Sequence, residues 1–99
     1  MAKITGTLKH GLKVGDQVYK DYELRDSNTD DMFDAEDDAP AHRRLSYNGA
    51  LLARQIVKLG ELSGPFDLKW LRKLHKDDVR QLFDEQDKVE ALGKSEPGG

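Results

Sequence analysis

The chain has no cysteine, three prolines and one tryptophan in 99 residues, and each shortage narrows what it can be. Without cysteine there is neither a disulfide framework nor a thiolate metal site. No apolar run approaches the roughly 20 residues that cross a bilayer. The first residues, Met1-Ala2-Lys3-Ile4-Thr5, carry no h-region of a secretory signal, so a soluble cytoplasmic protein is expected. A basic excess is missing too: the net charge is −3, whereas nucleic-acid binders gather Lys and Arg on one face. No G-x-S-x-G elbow is present and no Gly-rich phosphate loop follows a strand, so neither enzymatic chemistry nor a cofactor is expected.

What is present is a lean core in a heavily ionised chain. Leu, Ile, Val and Phe supply 23 of the 99 residues, above the level of about 20% below which disorder is the default. Charged residues reach 35%. The expectation is one domain over residues 1–92 followed by a disordered tail over residues 93–99 (GKSEPGG).

Residues 8–25 (LKHGLKVGDQVYKDYELR) alternate apolar and polar positions on either side of Gly15-Asp16, the pattern of an antiparallel β-hairpin. Ile4, Leu8, Leu12 and Val14 share one parity, and so do Val18, Tyr22 and Leu24. A two-residue turn pairs residues whose numbers sum to an odd value and would put the two sets on opposite faces. Either a three-residue loop, Gly15-Asp16-Gln17, or a bulge at His10-Gly11 restores a common face, and Gly11 would supply a bulge's positive φ.

Everything beyond Arg25 reads as turns and helices. Thr29 is a fair N-cap for a short helix over residues 30–36 that would place Phe33 in the core, and Pro40 follows its end. A second helix over residues 46–59 carries Leu45, Leu52, Ile56 and Leu59 at helical spacing, with Gly60 as its left-handed stop. Gly49 and Ala53 lie on the same side of that helix and would let another element approach closely. That element is either part of the monomer or a second subunit. Asp67 caps a short helix over residues 68–74, and His75 caps a last helix over residues 76–92 with the stripe Val79, Leu82, Phe83, Val89 and Leu92. The predicted fold is α+β: an N-terminal antiparallel β-hairpin packed against three or four α-helices.

Three patterns invite chemistry. Asp26, Asn28, Asp30, Asp34 and Asp37 fall at positions 1, 3, 5, 9 and 12 of a calcium loop, although Asp31 occupies the position that needs glycine. The acid-capped start of a solvated helix is the plainer reading. His10, His42 and His75 lie far apart in sequence, in no zinc spacing, and suit surface or capping roles. The last two helices could form a helix-turn-helix, but Asp77, Asp78, Asp84, Glu85, Asp87 and Glu90 outnumber Arg80 and Lys88, and phosphates would repel that charge. Trp70 stands off the line of Leu68, Leu71 and Leu74, either at the edge of the core or as an anchor for a partner.

The order of these segments resembles a known family. Leu8-Lys9, Gly11-Leu12, Val14 and Asp16 lead to Tyr22-Glu23-Leu24-Arg25, and then to Thr29-Asp30-Asp31-Met32-Phe33-Asp34-Ala35-Glu36. Val57-Lys58-Leu59-Gly60-Glu61-Leu62, Leu71-Arg72-Lys73-Leu74 and Asp78-Val79 follow. Together they are similar to the small tail assembly chaperones of Mu- and P2-type phages, over residues 4–92. Family members often carry proline near His10-Gly11, which is absent here. The resemblance implies a non-catalytic protein that binds the tape measure protein, with the tail tube protein as a second candidate partner. It would keep its client soluble in the host cell and be absent from the finished virion. A homo-oligomer is compatible with this. Trp70, Leu71, Gly49 and Ala53 are the expected partner-binding residues, with no catalytic, cofactor or metal residue. A structural tail or baseplate component and a small calcium-responsive binding module are the alternatives.

Overall fold

The computed structural model describes residues 2–95. Strands β1 (Lys3–Val14) and β2 (Gln17–Arg25) form the expected hairpin, which continues through β3 (Ile56–Leu59) and β4 (Leu62–Ser63) into an antiparallel sheet of order β1-β2-β3-β4. Helices α1 (Thr29–Asp38), α2 (Arg44–Gln55), α3 (Leu68–Leu71) and α4 (Lys76–Ser95) complete the α+β fold. The last four residues of the expected tail lie outside the described residues; the three before them, from Gly93, continue α4.

The hairpin resolves its parity problem by the bulge. Val14 pairs with Gln17 across a two-residue turn, with Gly15 at φ 61°. Between the pairs Thr7–Asp21 and Leu12–Tyr19, four residues of β1 face one of β2. Gly11 sits in this bulge at φ 86°, where a Cβ would also press on the Tyr19 carbonyl and the Lys20 side chain. The shift brings Leu8, Leu12, Tyr22 and Leu24 together into the core. Val14 and Val18, beside the turn, remain exposed.

Several expectations give way. The second helix ends at Gln55, four residues before its expected end at Leu59, and Ile56–Leu59 forms β3 beside β2. Ile56 pairs with Leu24 and Leu59 with Tyr22, so the residues counted as a helical stripe extend the sheet. Gly60, at φ 59°, turns the chain from β3 into β4 and does not close a helix. In α1 the cap is Asn28: its side chain accepts from the Asp31 N–H while the Asp31 carboxylate accepts from the Asn28 N–H, a reciprocal capping box. The buried line is Asp31, Ala35 and Ala39, four residues apart, which turns Phe33 outward at 68% exposure.

The core centres on Leu12, Leu24, Leu52 and Leu82, from β1, β2, α2 and α4. Burying each contributes about 1.5–3 kcal/mol.

Candidate functional site

The short helix α3 is set by its cap: the Asp67 carboxylate accepts from the Trp70 N–H at 3.4 Å. It presents Leu68 and Leu71 toward α2, where Gly49 has no side chain to meet them. A Cβ at Gly49 would lie 3.1 Å from Leu68 Cδ1 and 3.1 Å from Leu71 Cδ2. The glycine thus permits the two helices to close on one another. Leu45 at the start of α2 and Val79 and Phe83 on α4 complete the walls of an open groove of about 480 Å³. Its volume falls in the range of small binding clefts. The floor is apolar, and the polar lining includes Arg72, Lys76 and Arg80 with no carboxylate. In a chain of net charge −3 this is a local reversal of sign. An amphipathic helix with acidic flanks is the kind of ligand such a surface complements.

The structure sorts the four expected partner-binding residues. Gly49 and Leu71 line the groove. Ala53 lies fully buried in the core. Trp70 stands outside the lining, half-buried, with its ring edge-to-face on Phe66 at 5.6 Å and Lys73 Nζ 4.8 Å from the ring centroid. Leu45, which helical spacing groups with Leu52, Ile56 and Leu59, is 75% exposed on the groove wall. Val79 and Phe83, two members of the apolar stripe of the last helix, sit half-buried in the same wall.

A polar seam fixes the opposite side of α4. Asp78, fully buried, accepts the backbone N–H groups of Lys9, His10 and Gly11 at 2.8–3.2 Å, so one carboxylate satisfies the bulge. The Tyr22 hydroxyl donates to Glu85 Oε2 at 3.0 Å, and burial pushes that phenol above its ordinary pKa, with the Gln81 amide opposing and Glu85 adding to the rise. Gln86 donates to Gln55 Oε1, and Gln55 donates to Glu90 Oε1 and to the Arg25 carbonyl. At the end of β2, Arg25 forms a bidentate pair with Asp31 at 2.6 and 2.8 Å. The hydrogen bond to Asp31 raises the Arg25 pKa further. Burial pushes Asp31 up, but the Arg25 guanidinium and the Asn28 N–H outweigh it and hold the carboxyl below its usual range.

The acidic segment does not form a calcium loop. Asn28 is engaged in the capping box, Asp31 in the pair with Arg25, and Asp30, Asp34 and Asp37 ride on the helix α1. A helix spreads these carboxylates around its axis and does not converge them on one ion. Among the histidines, His42 lies exposed between α1 and α2, whereas the rings of His10 and His75 stack with centroids 3.9 Å apart.

Residues 8–97 match the family model of the tail assembly protein gp41. The chain belongs to that family. A curated relative, the Mu-like prophage FluMu protein gp41 of Haemophilus influenzae, is 28% identical over 87 residues, covering 76% of this chain and 68% of the relative. No solved structure matches. The resemblance read from the hairpin and the Val57–Leu62 segment is therefore confirmed at the level of a Mu-like phage tail assembly family. No helix among the described residues is long and apolar enough to cross a membrane.

Proposed function

We propose that this tail assembly protein is a non-enzymatic chaperone. It binds the tape measure protein in the host cytoplasm and keeps it soluble until tube subunits surround it. The observation that carries the reading is the open groove between α2, α3 and α4, apolar at its floor and basic at its rim. A tape measure protein is long, and its exposed apolar helix faces aggregate when unshielded. A groove that accepts one amphipathic turn at a time, used by many copies along one client, gives weak single contacts and strong collective coverage. The acidic remainder of the surface keeps the coated client dispersed. Contact with the tail tube protein, and between neighbouring copies along the client, belongs to the same proposal.

Co-expression with the tape measure protein of the same tail operon tests it. The client is expected to move into the soluble fraction and to co-purify with the chain. A client that stays insoluble, with nothing retained and the chain present in purified virions, would overturn the reading in favour of a structural tail or baseplate component.

A further inference from the structure

We propose that His10, His75 and Asp77 bind a divalent transition-metal ion of the zinc class, which clips the β1 bulge to the start of α4. The three residues come from two places far apart in the sequence: His10 lies in the bulge, and His75 and Asp77 flank the first residue of α4. One ligand atom from each lies within 4.8 Å of the other two. His10 Nε2 stands 3.4 Å from Asp77 Oδ2, and His75 Nδ1 stands 3.5 Å from the same oxygen. A tetrahedral zinc ion with bonds of about 2.0–2.1 Å places its ligand atoms roughly 3.3–3.4 Å apart, so two of the three edges already have the spacing the ion requires. Two imidazoles and one carboxylate are a borderline-soft donor set suited to zinc, cobalt or nickel, in contrast to the all-oxygen set of calcium.

The ligands are held from behind. The His10 backbone N–H donates to the buried Asp78 carboxylate, as do the N–H groups on either side of it, and Asp78 is the residue next to Asp77. The bulge therefore carries His10 to the helix start in a fixed position, where its ring stacks on His75 with an interplanar angle of 23°. All three side chains are about two-fifths exposed, which leaves an entry path and a fourth coordination position for water. His75 Nδ1 accepts from the Asp77 N–H at 3.0 Å. Metal binding exchanges that bond for coordination, and the Asp77 amide reports it directly. The ion would tie together two parts of the chain more than sixty residues apart and would stiffen the groove wall, since Leu74, Lys76 and Val79, next to or two residues from His75 and Asp77 in the sequence, line the groove. This inference does not depend on the chaperone reading.

The test uses the tag-free, metal-stripped full-length chain, titrated with zinc by calorimetry and with cobalt by visible absorption. The expected results are saturable binding of one ion per chain, intense cobalt bands of tetrahedral type, a higher melting temperature and a displaced Asp77 amide resonance. His10→Gln, His75→Gln and Asp77→Asn should each weaken binding by at least the ~10–100-fold that losing an outer-shell partner costs, while His42→Gln leaves it unchanged. Because His75 also caps α4, His10→Gln decides the matter if the His75 variant folds poorly. The absence of saturable zinc or cobalt binding would overturn the proposal. So would binding that His42→Gln abolishes and His10→Gln spares.

Discussion

Helix α4 meets the rest of the molecule by different means on its two sides. Along one side, around the buried Leu82 and Val89, it uses polar groups: Asp78 on the bulge amides, Glu85 on the Tyr22 hydroxyl, Gln86 on Gln55 at the end of α2, and Glu90 on Gln55 and the Ser27 N–H. Toward α2 and α3 it offers Val79 and Phe83 across a groove that is not filled. Hydrogen bonds are directional and costly to leave unmade, so the first side specifies a single register of helix on sheet. Apolar contact is non-directional, so the second side can exchange water for a partner's side chains without changing its own architecture. The difference separates the frame from the binding surface. Mutations in the seam should register in stability, and mutations in the groove should register in client binding.

The largest expected effect is at Asp78. Replacing it with alanine strands three bulge amides and removes one of the two acids in the first turn of α4, at a cost of about 4 kcal/mol. Urea unfolding would show this as a lower midpoint, and Asp78→Asn, which keeps one acceptor oxygen, should lose about half as much. If Asp78→Ala unfolds at the wild-type midpoint, the seam does not fix the fold.

Next comes the pair Arg25–Asp31, whose side chains are 18% and 7% exposed. Asp31→Ala leaves the guanidinium without its carboxylate and should cost about 3 kcal/mol. The pair also sets a sign for acid denaturation. The folded pKa of Asp31 lies below its ordinary value of 3.8, so its contribution is complete above that value and is lost as the pH falls through the folded value. The Asp31 contribution to wild-type stability should therefore decline on acidification below about pH 4, and Asp31→Ala should remove that part of the slope while leaving the neutral plateau flat. An unchanged acid limb in the variant would assign the decline to other carboxylates.

The hairpin, the bulge glycine and the long final helix were legible in the sequence because each rests on local rules: strand alternation, a residue that tolerates positive φ, and a 3.6-residue stripe. Strand β3 was not. Leu52, Ile56 and Leu59 fit a helical stripe, and the four residues Ile56–Leu59 carry no period long enough to choose strand over helix. Gly60 serves equally as a helix stop or a hairpin turn, and only pairing with Tyr22 and Leu24, more than thirty residues earlier, decides it. The Ile56-Val57 pair of β-branched residues was the available signal. Phe33 misled because size suggested burial; the small residues Ala35 and Ala39 mark the face that can lie close against α2. Of the site, the close approach at Gly49 was readable from a small residue on a helix face, but not that Leu68 and Leu71 make it. The arginine and lysine rim, the Asp78 clamp and the meeting of His10 with His75 depend on tertiary placement and leave no spacing in one sequence.

Trp70 tests where the binding surface ends. It packs on Phe66 at the core edge and lies outside the groove lining. Trp70→Ala should cost about 2 kcal/mol, less than the loss of a fully buried aromatic, and leave client affinity within about twofold. A large affinity loss at unchanged folding would instead extend the client surface across α3.

The smallest effect on stability, and the sharpest on binding, should come from Leu45→Asp. At 75% exposure the leucine contributes little to folding, so the midpoint of unfolding should stay within about 0.5 kcal/mol of wild type. On the groove wall, however, aspartate places a carboxylate beside the apolar floor and neutralises part of the basic rim formed by Arg72, Lys76 and Arg80. An acidic amphipathic helix would then meet both a desolvation penalty and like charge, and client retention in the pull-down should fall by at least about tenfold. Arg80→Glu should act in the same direction through charge alone, so its effect should shrink as salt is added while that of Leu45→Asp persists. If both variants retain the client at wild-type levels, the groove is not where the client binds, and the comparison between frame and surface would have to be redrawn around the sheet.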